Sequence, residues 1–263
     1  MLPKISIITP SFNQGKYIRD TIESVLSQNY SNWEHIIIDG ASKDDTVSIL
    51  KEYDHLKWIS EKDEGPADAI IKGFNLADGD IFTWLNSDDY FCNSALMKIV
   101  AEINSGYNMV VGNMIVVSDK KEYLYENKNN DIYNFEYLVK VNSDIIKQPS
   151  TFFTKKLYFE TGGIDKSLKI VFDYDLFLKM LKITKPSFLD IPLAYQRIYD
   201  DTLTLRSLRK QSKEIFKVSR QNGAGILDPI MKSILKKYIF PDSYGKSPGI
   251  IYKSLKTVSE FFR

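Results

Sequence analysis

Short apolar runs alternate with helical-period segments through the first 85 residues. Ile5–Thr9, Trp33–Ile38, Lys57–Ser60 and Ile81–Leu85 are brief and rich in β-branched or aromatic residues, as strands are. Between them, Tyr17–Gln28 carries Tyr17, Ile18, Ile22, Val25 and Leu26 at helical spacing. Ser42-Lys43-Asp44-Asp45 offers an N-cap for a helix through Tyr53, and Pro66–Leu76 opens with the proline favoured in a first helical turn. This βαβα order predicts an α/β fold, a mostly parallel sheet covered by helices. Three strands end in polar residues, so Pro10, Asp39 and Asp88 are expected along one sheet edge, the carboxyl edge where ligands bind in open α/β sheets.

The second half is less regular. Tyr107–Val117 reads as a strand, Ser118–Tyr125 as the return of a hairpin, Phe135–Val141 as a short helix, Asp173–Leu181 as a helix and Leu193–Ile198 as a strand. After Thr204 the pattern is helical. Ile226–Phe240 and Ile250–Phe262 mix apolar residues with lysine and are separated by residues 241–249.

Composition narrows the chemistry. A chain of 263 residues that is 43% hydrophobic can bury a substantial core. Its one cysteine, Cys92, excludes an intramolecular disulfide and suits a reducing compartment, so a cytoplasmic location is expected. Two histidines, His35 and His55, leave little for a His-rich zinc site, and any metal should be a hard, oxygen-liganded cation. The chain enters a strand at once, without a signal-peptide pattern, and no window reaches the ~18 apolar residues of a membrane span.

The net charge of +1 conceals an asymmetry. Residues 205–263 hold 13 Lys+Arg against 4 Asp+Glu, a net of +9, which leaves 22 against 30, a net of −8, in residues 1–204. A basic extension behind an acidic body suggests an anionic partner, such as the inner face of the plasma membrane, for the extension. A solvated lysine face, packing on the body or a dimer contact would use the same residues. Nothing in this pattern calls for nucleic acid.

The chemistry concentrates at Leu85-Asn86-Ser87-Asp88-Asp89, where an apolar strand stops at two adjacent carboxylates. Such acids repel one another and need a cation, donors or solvent to stay ionised. An acidic turn closing a strand has the same composition.

Several segments taken in order resemble the family 2 inverting glycosyltransferases of the GT-A fold. They are Ile7-Ile8-Thr9-Pro10-Ser11-Phe12-Asn13, Glu23-Ser24-Val25-Leu26-Ser27-Gln28, Ile37-Ile38-Asp39-Gly40-Ala41-Ser42, Trp84-Leu85-Asn86-Ser87-Asp88-Asp89, Gly162-Gly163-Ile164-Asp165 and Asp173-Tyr174-Asp175-Leu176. The resemblance covers residues 4–204, read as a catalytic domain with a nucleotide-sugar half (1–110) and an acceptor half (111–204), followed by the helical extension 205–263.

That resemblance implies roles. Asp88 takes the last position of the metal-binding DxD motif, with Ser87 beside it and Asp89 as a second metal partner, for Mn²⁺ or Mg²⁺ bridging a diphosphate. Pro10 and Asn13 would line the base and ribose, Asp39 would accept the base imide N–H, and Asp68 and Lys72 would contact ribose or diphosphate. Asp173 would be the general base that deprotonates an acceptor hydroxyl; alone it also reads as a helix N-cap. Arg197 would offer charge to the diphosphate. The chain departs from the family pattern at Asn86 in place of the first Asp, at Ile71 in place of Asn, at Phe172, and at Tyr199 in place of a histidine.

The resemblance thus implies transfer of a sugar, with inversion, from a UDP-linked donor to a hydroxyl of a saccharide or lipid-linked acceptor in bacterial surface polysaccharide synthesis. Two other classes compete. A non-catalytic nucleotide-sugar-binding protein would follow from erosion of the metal site at Asn86 and Tyr199. A sugar-1-phosphate nucleotidyltransferase would need a glycine-rich, basic phosphate loop, which residues 10–15 lack.

Overall fold

The computed structural model describes residues 2–118, 121–125, 130–199 and 208–239. Four strands, β1 (Ile5–Ser11), β2 (Trp33–Asp39), β3 (Lys57–Ser60) and β4 (Ile81–Trp84), are joined by helices α1 (Ile18–Leu26), α2 (Thr46–Leu50) and α3 (Pro66–Leu76). The following elements are β5 (Tyr90–Phe91), α4 (Ala95–Asn104), β6 (Met109–Ser118), β7 (Lys121–Tyr125), α5 (Phe135–Lys140), β8 (Thr151–Thr154), α6 (Lys155–Glu160), α7 (Phe172–Leu181) and β9 (Ser187–Arg197). Helices α8 (Leu208–Gln221) and α9 (Pro229–Ile239) come last.

Among the described residues these strands form one nine-stranded sheet in the order β3-β2-β1-β4-β8-β6-β9-β5, with β7 paired to β6. β1, β2, β3, β4, β6 and β9 run one way, while β5, β7 and β8 run against them. The sheet is therefore mostly parallel, as the sequence predicts. Every residue of β1 is buried, because helices cover both faces of a parallel centre.

Strand periodicity sorts the core into layers. Ile8, Ile36, Ile38, Phe82 and Trp84 face a large cluster built with α3, α5, α6 and α7. Ile5, Ile7, Ile81 and Leu85 face α4 on the opposite side, and Ile37 meets α1 and α2 there. Gly73 lets α3 lie close on β1, since a Cβ at that position would fall 2.3 Å from Ile8 Cγ2.

Some expectations need correction. The helix foreseen through Tyr53 ends at Leu50, where the Glu52 and Tyr53 amides bond three residues back, to Ile49 and Leu50, in turns rather than continuing the helix. β5, α4, β8 and α6 were not foreseen, and β9 begins at Ser187 rather than Leu193. The hairpin after Val117 is present as β6–β7.

The basic extension is the larger revision. Ile215, Val218, Ala224, Ile230, Met231 and Ile234 enter the same core cluster as α3 and α7, so 208–239 packs on the body. Lys213, Lys217, Arg220 and Lys232 face outward. The foreseen helix start at Ile226 moves to Pro229, leaving Ile226 and Leu227 exposed. The segment Ile250–Phe262 lies outside the described residues, as does the foreseen boundary near 204.

Candidate active site

Parallel register brings the predicted residues to one edge. Ser11 pairs with Asp39, Asp39 with Ser60, and Ile8 with Trp84, so Pro10, Asp39 and the 86–89 turn stand at the carboxyl ends of adjacent strands.

The loops after β1 and β2 are stitched to each other. The Asn13 N–H donates to Ser42 Oγ at 2.7 Å and Asn13 Oδ1 accepts from the Lys43 N–H at 2.8 Å. Gln14 N–H reaches Thr46 Oγ1 and Gly15 N–H reaches Asp44 Oδ2. Asn13 holds a left-handed conformation (φ 53°), which Asn adopts more readily than most residues. Asp39 is wholly buried, and its carboxylate accepts from the Ser42 N–H at 3.0 Å, from Ser42 Oγ and from Ser60 Oγ at 2.6 Å. Those donors compensate its burial.

Asp68 lies in the first turn of α3 and accepts the Glu64 N–H, while Lys72 pairs with Glu61 at 2.8 Å and with Asp68 at 3.4 Å. Asp63, not singled out from sequence, sits beside Gly40, and burial followed by Asp68 and Asp39 pushes its pKa up.

The two acids at the end of β4 have separate environments. Asp89 is 1% exposed, and it accepts the Arg197 N–H at 3.0 Å on Oδ1 and Asn86 Nδ2 at 3.2 Å on Oδ2. Burial and the neighbouring Asp88 push its pKa well above the usual carboxylate range. Its carbonyl also accepts from Thr21 Oγ1, which ties the turn to α1. Asp88 is more open, accepts from Tyr199 Oη at 2.8 Å, and is raised by burial. Ser87 between them and Asn86 is buried.

Arg197 is engaged on several sides. Its guanidinium lies over the rings of Tyr17 and Tyr90, 5.2 and 4.8 Å from their centroids, pairs with Asp20 and donates to the Asp88 carbonyl. Tyr199 stacks on Tyr17 at 5.1 Å and its phenol pKa is pushed up by burial and by Asp88.

Asp173 lies in the first turn of α7. Val171, not Asp173, occupies the N-cap of α7 and makes no side-chain cap, so the simple capping alternative is not the observed geometry. Asp173 Oδ1 accepts the Tyr174 N–H at 2.8 Å. Enclosure by protein pushes its pKa up to about 6, with Asp144 adding to the rise and the Tyr174 N–H and Lys147 opposing it. The partner acid Asp175 is held by Lys179 at 2.6 Å, one helical turn on. Trp84 couples this helix to the metal-motif strand, packing against Phe177 at 6.0 Å and Phe172 at 6.3 Å.

The sequence model described as Glycosyl transferase family 2 matches residues 6–162, more than half of the chain. The chain belongs to glycosyl transferase family 2. It is a transferase enzyme of that family with the GT-A fold. Chondroitin synthase from Escherichia coli is 28% identical over 228 residues, 84% of this chain but 33% of the synthase, so the chain spans about a third of that relative. Crystals of S. aureus TarS in complex with UDP-GlcNAc match with a TM-score of 0.64 at 18% identity, over 94% of this chain and 74% of that one. Mannosyltransferase PcManGT from Pyrobaculum calidifontis, in complex with GDP-Man and Mn²⁺, matches with a TM-score of 0.64 at 13% identity, over 100% and 81% of the two chains. Membership as an enzyme sets aside the non-catalytic and nucleotidyltransferase readings.

In this glycosyltransferase no group of three or more His, Cys, Asp or Glu gathers among the described residues. That does not conflict with the donor set of a hard cation that takes one or two carboxylates and completes its shell with phosphate oxygens and water. Asp88, desolvated and without a salt bridge among the described residues, gains from a cation beside it. The residues therefore fit a Mg²⁺- or Mn²⁺-type ion held with the substrate.

Some participants were missed in the sequence. Gln148 donates to the Trp84 carbonyl and accepts from Asn86 Nδ2 at 3.2 Å, bracing the metal motif from a segment 62 residues away. Asp20 holds Arg197, and the Asp144–Lys147 pair (2.8 Å) borders Asp173. The run Gln148-Pro149-Ser150 carries no periodic signal, so only the fold reveals its role. Trp84 is 1% exposed and buried among rings.

Proposed function

We propose that this enzyme transfers a sugar from a UDP-linked donor to a hydroxyl of a saccharide or lipid-linked acceptor, with inversion at the anomeric carbon. One observation carries the reading: an open carboxylate at the end of β4 and a second carboxylate raised to about 6 on α7 are joined through the buried Trp84 ring stack. The relative named as a chondroitin synthase supports a role in polysaccharide synthesis, and the UDP-GlcNAc and GDP-Man complexes support a nucleotide-sugar donor.

In this mechanism Asp173 accepts the proton of the acceptor hydroxyl as that oxygen attacks the anomeric carbon. A base with pKa near the working pH suits that transfer, because it is largely ionised yet still basic. Asp88 would hold a divalent ion, which when bound would offset charge on the departing diphosphate. Asp89, its oxygens engaged by Arg197 and Asn86, supports Asp88 through the turn rather than as the main ligand. Ser87 belongs to the same turn. Pro10 and Asn13 shape the pocket for base and ribose, Asp39 accepts the imide N–H, and Asp68 and Lys72 stand toward the ribose and diphosphate. Arg197, held by Asp20, contributes positive charge near Asp88.

The outward lysines of α8 and the segment beyond α9 support cytoplasmic action at an anionic membrane surface, where a lipid-linked acceptor would be close. No helix among the described residues is long and apolar enough to cross a membrane.

The test is a nucleotide-sugar screen for transfer or hydrolysis with Mn²⁺ present, on wild type and Asp173→Asn. Turnover of a UDP-sugar by wild type and a loss of about 10²–10⁴ in kcat in the variant are expected. Equal turnover by the two proteins sinks the base assignment, and failure to bind or turn over any nucleotide sugar sinks the whole reading.

A further inference from the structure

The basic extension contributes an acid to the catalytic half. Glu214, in the middle of α8, points its carboxylate at the chain entering α7 and accepts three consecutive backbone N–H groups: Lys169 at 3.2 Å, Ile170 at 2.9 Å and Val171 at 3.2 Å. Successive amides turned toward one anion form a concave nest, and a carboxylate is the side chain that can satisfy several at once. Val171 is the N-cap of α7 and makes no side-chain cap, and Glu214 fixes the backbone of this residue and of the two before it. Asp173 is two residues beyond this nest.

The same helix holds α7 at a second point. Tyr174 Oη and Ser219 Oγ lie 2.8 Å apart, one turn and a half after Glu214. Ile215 and Val218 enter the shared core beside them. Packing through Ser219 and the apolar residues accounts for docking of α8. It does not account for an acid aimed at the 169–171 amides.

We propose that Glu214 is a positioning residue, fixing the start of α7 so that the Asp173 carboxylate is held, dehydrated, at the place where the acceptor hydroxyl reacts. This rests on Asp173 as the general base. The groups facing that carboxylate are Asp144 and Lys147 from the segment before β8 and the Tyr174 N–H from its own helix. Releasing the nest frees the start of α7 to shift and lets water reach that carboxylate, which lowers the Asp173 pKa.

The experiment compares full-length wild type, Glu214→Gln, Glu214→Asp and Ser219→Ala, using the donor found in the screen. Glu214→Gln is expected to lose about tenfold in kcat with donor KM little changed, because small misplacements of a reacting group are costly. Its acidic limb in the kcat–pH profile moves from near 6 toward the ordinary carboxylate range. Glu214→Asp, which keeps the charge, recovers part of both effects and carries the test if Glu214→Gln does not fold. Ser219→Ala lowers the melting temperature and leaves the acidic limb in place. The proposal is overturned if Glu214→Gln changes only the melting temperature, as Ser219→Ala does, or if the acidic limb stays at its wild-type position. An inactive Asp173→Asn beside a normal Glu214→Gln removes this inference alone, whereas an active Asp173→Asn removes the reading beneath it.

Discussion

Asp39, fully buried at the end of β2, and Asp173, half-buried on α7, are carboxylates that the two halves of the chain treat in opposite ways. In the nucleotide half, neighbouring loops supply three donor bonds to Asp39 from Ser42 and Ser60, and the loops themselves are bonded across Asn13, Gln14 and Gly15. In the acceptor half, Asp173 accepts one neighbouring N–H and faces Asp144. Hydrogen bonds stabilise a charge where recognition needs a fixed acceptor. Dehydration with few donors raises basicity where a proton has to be taken. Under the proposed roles, the same residue type serves recognition or chemistry according to its partner count.

The two halves meet at Trp84, and breaking that joint gives the largest expected effect. Trp84→Ala removes a buried ring between β4 and α7 and should cost about 3–5 kcal/mol of stability, measured by denaturant unfolding. At a temperature where the variant is folded, kcat should fall further than donor affinity, since the strand with Asp88 and the helix with Asp173 lose their common reference. Equal losses in both would mean that the halves are not coupled through this ring.

Next in size is Asp39→Asn, which keeps the shape but replaces one acceptor oxygen by a donor. Donor KM should rise about tenfold with kcat within a fewfold, the pattern of lost uniform binding. Steady-state kinetics against donor concentration check it; a kcat defect with unchanged KM would move Asp39 from recognition to chemistry and erase the contrast.

The smallest effect sharpens the Asp173 side. Its folded pKa of about 6 lies above the ordinary carboxylate value, so protonation favours the fold: the contribution is complete below pH ~4 and is lost as pH rises through 6. Asp173→Asn should therefore be more stable than wild type above pH 6, by about 1 kcal/mol after allowance for solvent access, and level with it near pH 4. Melting curves at the two pH values decide; a variant less stable than wild type at pH 8 would show that the ionised carboxylate is well compensated.

Much of the nucleotide half was legible along the chain because its signals are local. Strand periods, the proline opening α3 and the polar residues after β1, β2 and β4 sufficed to place Pro10, Asp39 and Asp88 on one edge. The short β5 and β8 carry too few residues for a period to show, and α4 follows β5 without a side-chain cap. Asp88 and Asp89 are adjacent in sequence and equivalent on paper. Only the return of β9 separates them, because the Arg197 N–H turns Asp89 inward while Tyr199 meets Asp88.

The charge asymmetry was equally visible, but charge counts do not say which face of a helix packs. Ile215, Val218, Ala224, Ile230, Met231 and Ile234 sit in the core while Lys213, Lys217 and Lys232 are exposed, and the acid Glu214 turns inward. Sequence alone determined the α/β order, the family resemblance and the acids at strand ends, since these depend on neighbours within a few positions. Tertiary structure alone decided which acids are satisfied and which are starved of donors. The Arg197 N–H on Asp89, the Gln148 amide on the Trp84 carbonyl and the Glu214 carboxylate on the 169–171 amides all come from residues far along the chain that long-range strand pairing and helix packing bring together.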